Sequence, residues 1–180
     1  MNSNLKILLT EDQIQNRVKE LGQQITADLK ASNNDQHPVF ICTLKGAVYF
    51  FADVTKNVSH PIMLDFVRLS SYKNAMVSGE MELISDFTTD ITGREVIVIE
   101  DIIDSGKTLH YFVNHLKKHN PKSIKICAFL DKKERREVDI KADYVAFDIP
   151  CGFVVGYGLD YAEKYRELPY LAEVIDHSKA

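Results

Sequence analysis

The chain has 180 residues, a formal net charge of -4 and a composition that is 45% hydrophobic and 27% charged. These values are typical of a globular protein long enough for one substantial core, so we expect residues 1–180 to form a single domain. The acidic balance argues against general nucleic-acid binding. No apolar stretch approaches the ~20 residues that span a bilayer, and the first residues lack an apolar signal core, so we expect a cytoplasmic protein without membrane partners.

The first predicted element is an amphipathic helix. Thr10 and Gln13 fit a capping box at its start. Apolar residues then recur at helical spacing, at Ile14, Val18, Leu21, Ile25 and Leu29. The polar segment 31–36 ends the helix.

A strand-helix-strand unit follows. A buried strand is predicted at 39–44, after which Lys45-Gly46 turns the chain into an apolar helix that runs through Phe51 to about Asn57. A second strand at 62–68 completes the unit. Such a crossover implies parallel strands with a right-handed connection.

The rest of the chain continues the alternation. Segment 70–79 is polar and has neither a helical nor a strand period. Further strands are predicted at 81–85, 95–100, 124–130 and 144–149, and a helix with the apolar face Leu109, Phe112, Val113 and Leu116. This alternation indicates a doubly wound α/β domain, in which ligands bind beyond the carboxyl ends of the strands.

Cysteines and histidines do not form a recognisable site. Cys42 and Cys127 lie in apolar strand-like runs, where we interpret them as small buried hydrophobic residues rather than as nucleophiles or zinc ligands. His110, His115 and His119 fall mostly off the apolar face of the last predicted helix, so we expect them to be solvated.

The most informative segment is 96–108, Val-Ile-Val-Ile-Glu-Asp-Ile-Ile-Asp-Ser-Gly-Lys-Thr. Its four β-branched residues predict a buried strand that ends at Glu100 and Asp101, and Asp104 opens a small, hydroxylated turn before a helix. Carboxylates and free amides at such a strand end suit an anion that carries a metal. The alternative, a solvated acidic turn, is disfavoured because unpaired carboxylates beside a core are costly.

This segment can bind two kinds of group. Glu100 and Asp101 have the oxygen atoms to hold a divalent cation or sugar hydroxyls. A phosphate can be wrapped by the backbone amides of the turn, formed by Asp104, Ser105, Gly106, Lys107 and Thr108.

The segment resembles the 5-phosphoribosyl-1-pyrophosphate signature of the type I phosphoribosyltransferases, and it is most similar to the hypoxanthine-guanine branch. The resemblance covers roughly residues 39–170. It implies an α/β fold with a central parallel sheet flanked by helices and a small hood built from the terminal regions. It also implies transfer of the phosphoribosyl group from phosphoribosyl pyrophosphate to hypoxanthine or guanine, giving IMP or GMP, with Mg²⁺ as cofactor.

The resemblance assigns roles around the reacting sugar. Glu100 and Asp101 would contact the ribose hydroxyls and their metal, because magnesium favours oxygen ligands and keeps several waters. Asp104 would lie near N7 of the purine as the catalytic carboxylate. It would act either as a general base or through its negative charge, and the sequence leaves both open.

Two further segments are assigned to the pyrophosphate and to closure of the site. The family's pyrophosphate loop matches Leu44, Lys45 and Gly46. In the family this loop often has a cis peptide before the lysine. The alternative for Lys45 is a surface lysine at the start of a helix. Ser71 and Tyr72 match a mobile loop that excludes water, and an ordinary surface loop fits them too.

The purine would be bound by the second half of the chain. Lys132 would donate to the 6-oxo oxygen, Phe153 would stack on the ring and the Val154 backbone would meet its edge. The alternative for Lys132 is a place in the solvated charged run 131–136, and the alternative for Phe153 is an aromatic residue of the core. Within this run we interpret Lys133, Arg135 and Arg136 as surface residues, and the resemblance gives them no role.

The last matches lie near the carboxyl end. Asp160 would hold a second magnesium ion with the pyrophosphate and also border the base, and Arg166 would bind the pyrophosphate through its guanidinium group. Gly158 stands where the family often has alanine, and we expect either small residue to fit.

The resemblance also implies self-association as a homodimer or homotetramer. Two alternatives to the main function remain: a transferase that prefers xanthine, and a regulatory protein that senses phosphoribosyl pyrophosphate while binding RNA or DNA. The acidic balance and the complete base-binding segment disfavour the second alternative.

Overall fold

A six-stranded mixed sheet forms the centre of the molecule in a computed structural model that describes residues 4–32, 34–71 and 81–175. In chain order the elements are β1 (Leu5–Leu9), α1 (Glu11–Ala31), β2 (Val39–Leu44), α2 (Val48–Lys56), β3 (Met63–Ser71), β4 (Met81–Ser85), β5 (Glu95–Ile103), α3 (Lys107–Lys117), β6 (Ser123–Lys132), β7 (Tyr144–Ile149), β8 (Val154–Val155) and β9 (Leu171–Val174). The strand order is β4-β3-β2-β5-β6-β7, and only β4 runs antiparallel to its neighbour in this sheet.

Helices cover both faces of the central sheet, as the doubly wound prediction requires. On β2, Phe40 and Cys42 pack with α1 and α2, whereas Val39 and Ile41 pack with α3. Successive strand residues point to opposite faces, so a strand covered on both sides needs an unbroken apolar run. The predicted α/β class and its parallel core are confirmed.

Helix α1 begins as the capping box predicted. The Gln13 backbone N–H donates to Thr10 Oγ1 at 3.3 Å, and the Thr10 backbone N–H donates to Gln13 Oε1 at 2.9 Å. The five apolar residues at helical spacing are all buried: Ile14, Val18, Leu21, Ile25 and Leu29. They pack α1 against α2 and the sheet.

A second, three-stranded sheet forms the hood predicted from the terminal regions. Its order is β1-β9-β8, with both pairings antiparallel. The sheet joins the first and last strands of the described chain, and β8 directly follows Phe153. The hood therefore brings the second half of the candidate site against the central sheet.

Two details differ from the sequence predictions. Strand β5 does not end at Glu100 and Asp101 but runs on to Ile103, because β6 continues to pair with it. His115 is not solvated: its Nε2 lies 2.7 Å from Asp86 Oδ2 and only 21% of its side chain is exposed. The two buried cysteines are as predicted.

No helix in the described ranges is both long enough and apolar enough to cross a membrane.

The connection from β4 to β5 is fastened to the sheet by one carboxylate. Asp65 is buried and accepts hydrogen bonds from the backbone N–H groups of Phe66, Thr88 and Thr89 at 2.7, 2.9 and 2.7 Å. Burial alone would raise the pKa of Asp65, but these hydrogen bonds outweigh it and leave the pKa below its ordinary value.

Asp65→Asn should therefore lower the free energy of unfolding at pH 7 by about 1–3 kcal/mol, because the amide cannot accept all three hydrogen bonds. A lowered carboxyl pKa adds stability above the ordinary pKa, and this stability is lost as the pH falls. Urea unfolding should show a constant difference from pH 7 to about 5 that shrinks in more acidic solution. The exposed Asp139→Asn is the control, and an equal loss in both variants would contradict the assignment.

Candidate active site

Two adjoining cavities, of about 240 and 170 Å³, open at the carboxyl end of β5. Both are lined by Glu100, Asp101 and Thr108. The larger cavity adds the residues predicted to contact pyrophosphate, namely Leu44, Lys45, Gly46, Asp160 and Arg166. The smaller adds the predicted phosphate loop, Asp104, Ser105 and Gly106. The structure thus brings together segments that lie far apart in the sequence.

Glu100 and Asp101 place two acidic groups side by side within a strand. Burial, together with the negative charge of Asp101, raises the pKa of Glu100 well above its ordinary value. Burial likewise raises the pKa of Asp101, although the Ile102 backbone N–H donates to its Oδ1 at 2.7 Å. The same two charges add to burial in raising the pKa of Cys42 to about 12, so this cysteine is not a thiolate nucleophile.

Three buried polar atoms at the cavities have no hydrogen-bond partner within the described part of the chain: Glu100 Oε2, Asp104 Oδ1 and Arg166 Nε. Leaving a buried polar atom unpaired costs about 1–3 kcal/mol. Two free acceptors and one free donor suit a ligand with both cationic and anionic groups. No three potential metal-ligating side chains cluster in the described ranges, so a cation here would take most of its ligands from water or from the bound ligand.

The predicted phosphate loop ends at the amino terminus of α3. Gly106 has φ 80 and caps the helix, and a Cβ there would collide with Ile140 and Val138. The first amides of a helix have no intrahelical acceptor and attract anions. The amides at this helix start can therefore receive an anion, and glycine is needed at the tightest point of the loop.

Arg136 holds this loop in place, so its interpretation as a surface residue was wrong. Its guanidinium donates to the carbonyl oxygens of Ile103, Asp104 and Ile140 at 3.0, 3.0 and 2.6 Å. It also pairs with the buried carboxylate of Asp131. The side chain is 18% exposed. One cation thus fixes the backbone on which Asp104 stands.

The predicted pyrophosphate loop joins β2 to α2, and its Leu44–Lys45 peptide is cis. A Cβ on Gly46 would overlap the Asp101 carboxylate, so this glycine lets the loop pack directly on the acidic pair. Gly158 has φ 102, and a Cβ there would overlap the Gly46 carbonyl oxygen. The expectation that alanine would fit equally well at 158 is therefore wrong.

Ionic contacts connect the pyrophosphate loop to the segment after β8. Lys45 Nζ lies 2.8 Å from Glu163 Oε2. Arg166 Nη2 lies 2.7 Å from Asp160 Oδ1 and 3.3 Å from Glu163 Oε1, and its Nη1 donates to the Gly158 carbonyl oxygen at 2.7 Å. Glu163 had no predicted role, because nothing in its local sequence marks it.

The predicted purine-binding residues also converge. Lys132 Nζ donates to the Gly152 carbonyl oxygen at 3.0 Å, beside Phe153. Phe153 is 43% exposed and packs edge-to-face on Tyr161, with ring centroids 5.3 Å apart. The core-aromatic alternative for Phe153 is therefore wrong, and so is the solvated alternative for Lys132, which is buried. Val154 lies buried in β8.

The comparisons with known proteins agree with this geometry. The family model described as "Phosphoribosyl transferase domain" matches residues 6–162. The chain belongs to the phosphoribosyltransferase family.

Two relatives from Bacillus species are similar over almost their whole length. The hypoxanthine-guanine phosphoribosyltransferase of Bacillus subtilis is 49% identical over 167 residues, which are 92% of this chain and 91% of the relative. A solved hypoxanthine-guanine phosphoribosyltransferase from Bacillus anthracis, with HEPES in its active site, superposes with a TM-score of 0.86 at 46% identity and covers 94% of this chain and 98% of that one.

A third relative comes from Trypanosoma cruzi. Its hypoxanthine phosphoribosyl transferase superposes with a TM-score of 0.88 at 37% identity, covering 94% of this chain and 90% of that one. That structure concerns the role of the C-terminal region on oligomeric state and enzymatic activity.

One predicted part of this phosphoribosyltransferase is not placed. Ser71 is the last residue of β3, and Tyr72 lies outside the described residues. The role of both in a closing loop stays a prediction.

A larger groove of about 690 Å³ lies behind the phosphate loop, between the β6–β7 connection and β7. None of the three unpaired buried atoms at the active-site cavities belongs to its lining, which is of mixed charge. The two smaller cavities are therefore the better candidates for the sugar and phosphate part of the active site.

Glu100→Gln should stabilise the ligand-free protein. A carboxyl whose pKa is raised by folding binds its proton more tightly in the folded state, so stability falls as the pH rises above the ordinary pKa. Removing that charge should raise Tm by about 2–4 °C at pH 8, which corresponds to roughly 1 kcal/mol, and by less at pH 5. Thermal unfolding at the two pH values measures this. A gain at pH 8 equal to that of the exposed Glu167→Gln would contradict it.

Proposed function

We propose that the protein transfers the 5-phosphoribosyl group of phosphoribosyl pyrophosphate to hypoxanthine or guanine, giving IMP or GMP and pyrophosphate in purine salvage. The observation that carries the proposal is the shared position of three features. The phosphate loop, the acidic residues Glu100 and Asp101, and the Lys132 contact with the Gly152 carbonyl beside Phe153 all lie at the carboxyl ends of the central strands, where ligands of such sheets bind.

We assign one binding role to each part of the site. The amides from Asp104 to Thr108 bind the 5′-phosphate, and Glu100 and Asp101 bind the ribose hydroxyls. Among the remaining residues, the pyrophosphate is bound by Leu44, Lys45, Gly46 and Arg166. The unpaired Arg166 Nε supports the last assignment, because a guanidinium group binds paired phosphate oxygens well.

Mg²⁺ fits this site as cofactor. Glu100 and Asp101 offer hard oxygen ligands, Glu100 Oε2 has no protein partner, and Asp160 lies across the same cavity. When bound, magnesium would screen the negative charge of the departing pyrophosphate. The cost of two neighbouring buried carboxylates is thereby offset in the loaded enzyme.

The purine is held by the segment between β6 and β8. Lys132 donates to the 6-oxo oxygen, which selects oxopurines over adenine, and the half-exposed Phe153 ring stacks on the base. The backbone at Val154, with Asp160 nearby, borders the other edge of the purine. The buried ammonium group of Lys132 supports this assignment, because a buried cation requires acceptors, whereas Lys132 Nζ has the Gly152 carbonyl oxygen at 3.0 Å and Glu134 Oε2 at the longer distance of 3.9 Å.

Asp104 acts on the purine as the new bond forms. The purine N9 attacks the anomeric carbon while the bond to pyrophosphate breaks. Asp104 accepts the N7 proton in this step or stabilises the positive charge there. Its unpaired Oδ1 supports either role, because this oxygen can accept the proton or face the positive charge while Oδ2 lies 3.5 Å from Arg135 Nη1.

The remaining parts of the proposal concern the whole molecule. Residues 1–180 act as one domain in the cytoplasm, and the unpaired buried Cys42 and Cys127 suit that reducing compartment.

Self-association as a homodimer or homotetramer is supported by Leu64 and Phe66, which are 48% and 42% exposed on β3. Ser71 and Tyr72 close over the reacting centre.

The proposal is tested by mixing the purified protein with magnesium and phosphoribosyl pyrophosphate and offering hypoxanthine, guanine, xanthine and adenine separately. Nucleotide should form with hypoxanthine and guanine but not with adenine. Equal rates with adenine would remove the selecting role of Lys132. Tight binding of phosphoribosyl pyrophosphate without turnover on any base would overturn the enzymatic function.

Asp104→Asn should lower kcat by about 10²-fold, because the amide neither accepts a proton nor carries charge. Phosphoribosyl pyrophosphate should still bind with nearly unchanged Kd, since the loop amides and the Arg136 contacts remain. Steady-state kinetics and calorimetry separate the two effects, with Asp139→Asn as the matched control. Unchanged turnover would remove Asp104 from the catalytic residues.

A further inference from the structure

Glu163 contacts both of the cations that we assign to the pyrophosphate. Its Oε2 accepts from Lys45 Nζ at 2.8 Å, and its Oε1 lies 3.3 Å from Arg166 Nη2. Lys45 follows β2 and Arg166 follows β8, so a single carboxylate links the two sides of the larger cavity. An anionic group of this chain therefore already contacts the two cations that an anionic ligand would have to contact.

The backbone around Glu163 supports this position. The segment closes on itself through reciprocal backbone hydrogen bonds between Tyr161 and Lys164, at 3.1 and 3.0 Å. Ala162, Glu163 and Tyr165 have φ values of 49, 64 and 76, a left-handed region that non-glycine residues enter at an energetic cost. The Glu163 backbone N–H donates to Asp160 Oδ2 at 2.8 Å. The turn thus presents its carboxylate from the same segment that carries Asp160.

We propose that Glu163 is an internal competitor of the pyrophosphate group, whose carboxylate occupies Lys45 and Arg166 in the free enzyme and leaves them when pyrophosphate binds. The inference rests on the proposed function, which assigns these two cations to pyrophosphate. The same carboxylate returns to the cations when pyrophosphate departs. Glu163 therefore weakens the binding of phosphoribosyl pyrophosphate and favours release of the product.

The size of the effect follows from exposure. The side chains of Lys45 and Glu163 are 49% and 66% exposed, so water and salt screen their attraction. The apparent affinity of a ligand falls with the fraction of protein that is competent to bind it. For an exposed ion pair, the reduction is about two- to fivefold.

The test compares wild type with Glu163→Gln and with Glu167→Gln. Glu167 is exposed in the same segment, and its side chain has no hydrogen bond or ion pair to Lys45 or Arg166 in the described contacts. Both variants lose one negative charge, and only the first loses the bridge. Calorimetry with magnesium pyrophosphate measures binding, and steady-state kinetics measure KM for phosphoribosyl pyrophosphate and for the base.

Glu163→Gln should bind pyrophosphate about two- to fivefold tighter and lower KM for phosphoribosyl pyrophosphate by a similar factor, with KM for the base unchanged. Glu167→Gln should match wild type. Weaker pyrophosphate binding by Glu163→Gln would mean that Glu163 helps to hold the ligand. Equally tighter binding by both variants would mean that the loss of any one negative charge in this segment causes the effect. Either outcome overturns the proposal.

Two remaining outcomes separate this inference from the proposed function. If wild type binds pyrophosphate and forms nucleotide, and Glu163→Gln binds pyrophosphate no more tightly, only the proposed competition is overturned. If wild type neither binds pyrophosphate nor forms nucleotide, both the proposed function and the competition are overturned.

Discussion

The adjacent carboxylates of Glu100 and Asp101 set the constraint on which the rest of the site depends. They stand within a strand that neighbours pair on both sides, where burial opposes both charges and the charge of Asp101 further raises the pKa of Glu100. A folded protein can contain such a pair only if the rest of its core offsets the free-energy cost. Here both faces of the sheet are apolar and covered by helices.

The neighbouring segments follow from the same constraint. Gly46 has no side chain where one would overlap Asp101, and Gly158 leaves space for the Gly46 carbonyl oxygen. On the other side, Arg136 ties the carbonyl oxygens of Ile103 and Asp104 to the β6–β7 connection. The backbone around the acidic pair is thus held in a fixed position. A site that is fixed before its ligand binds needs little reorganisation during binding.

Local sequence predicted much of this arrangement because the decisive patterns are local. The capping box, the apolar periodicity of α1 and the β-branched run of β5 each depend on neighbours within a few residues. The end of β5 was misplaced because its last residues are held by pairing with β6, a contact between distant segments. Arg136 was missed for a similar reason: in the charged run that contains it, only the fold decides which side chains turn inward, and Asp131 and Lys132 are buried as well.

Glu163 affects how tightly the site binds its ligand. A site built to hold a multiply charged anion concentrates positive charge, and in the free protein that charge attracts anionic groups of the chain itself. Here the Glu163 carboxylate, on a strained turn, meets that charge at a fixed position. An enzyme that must also release pyrophosphate gains from such an internal anion, because an interaction that weakens substrate and product alike does not oppose the chemical step between them.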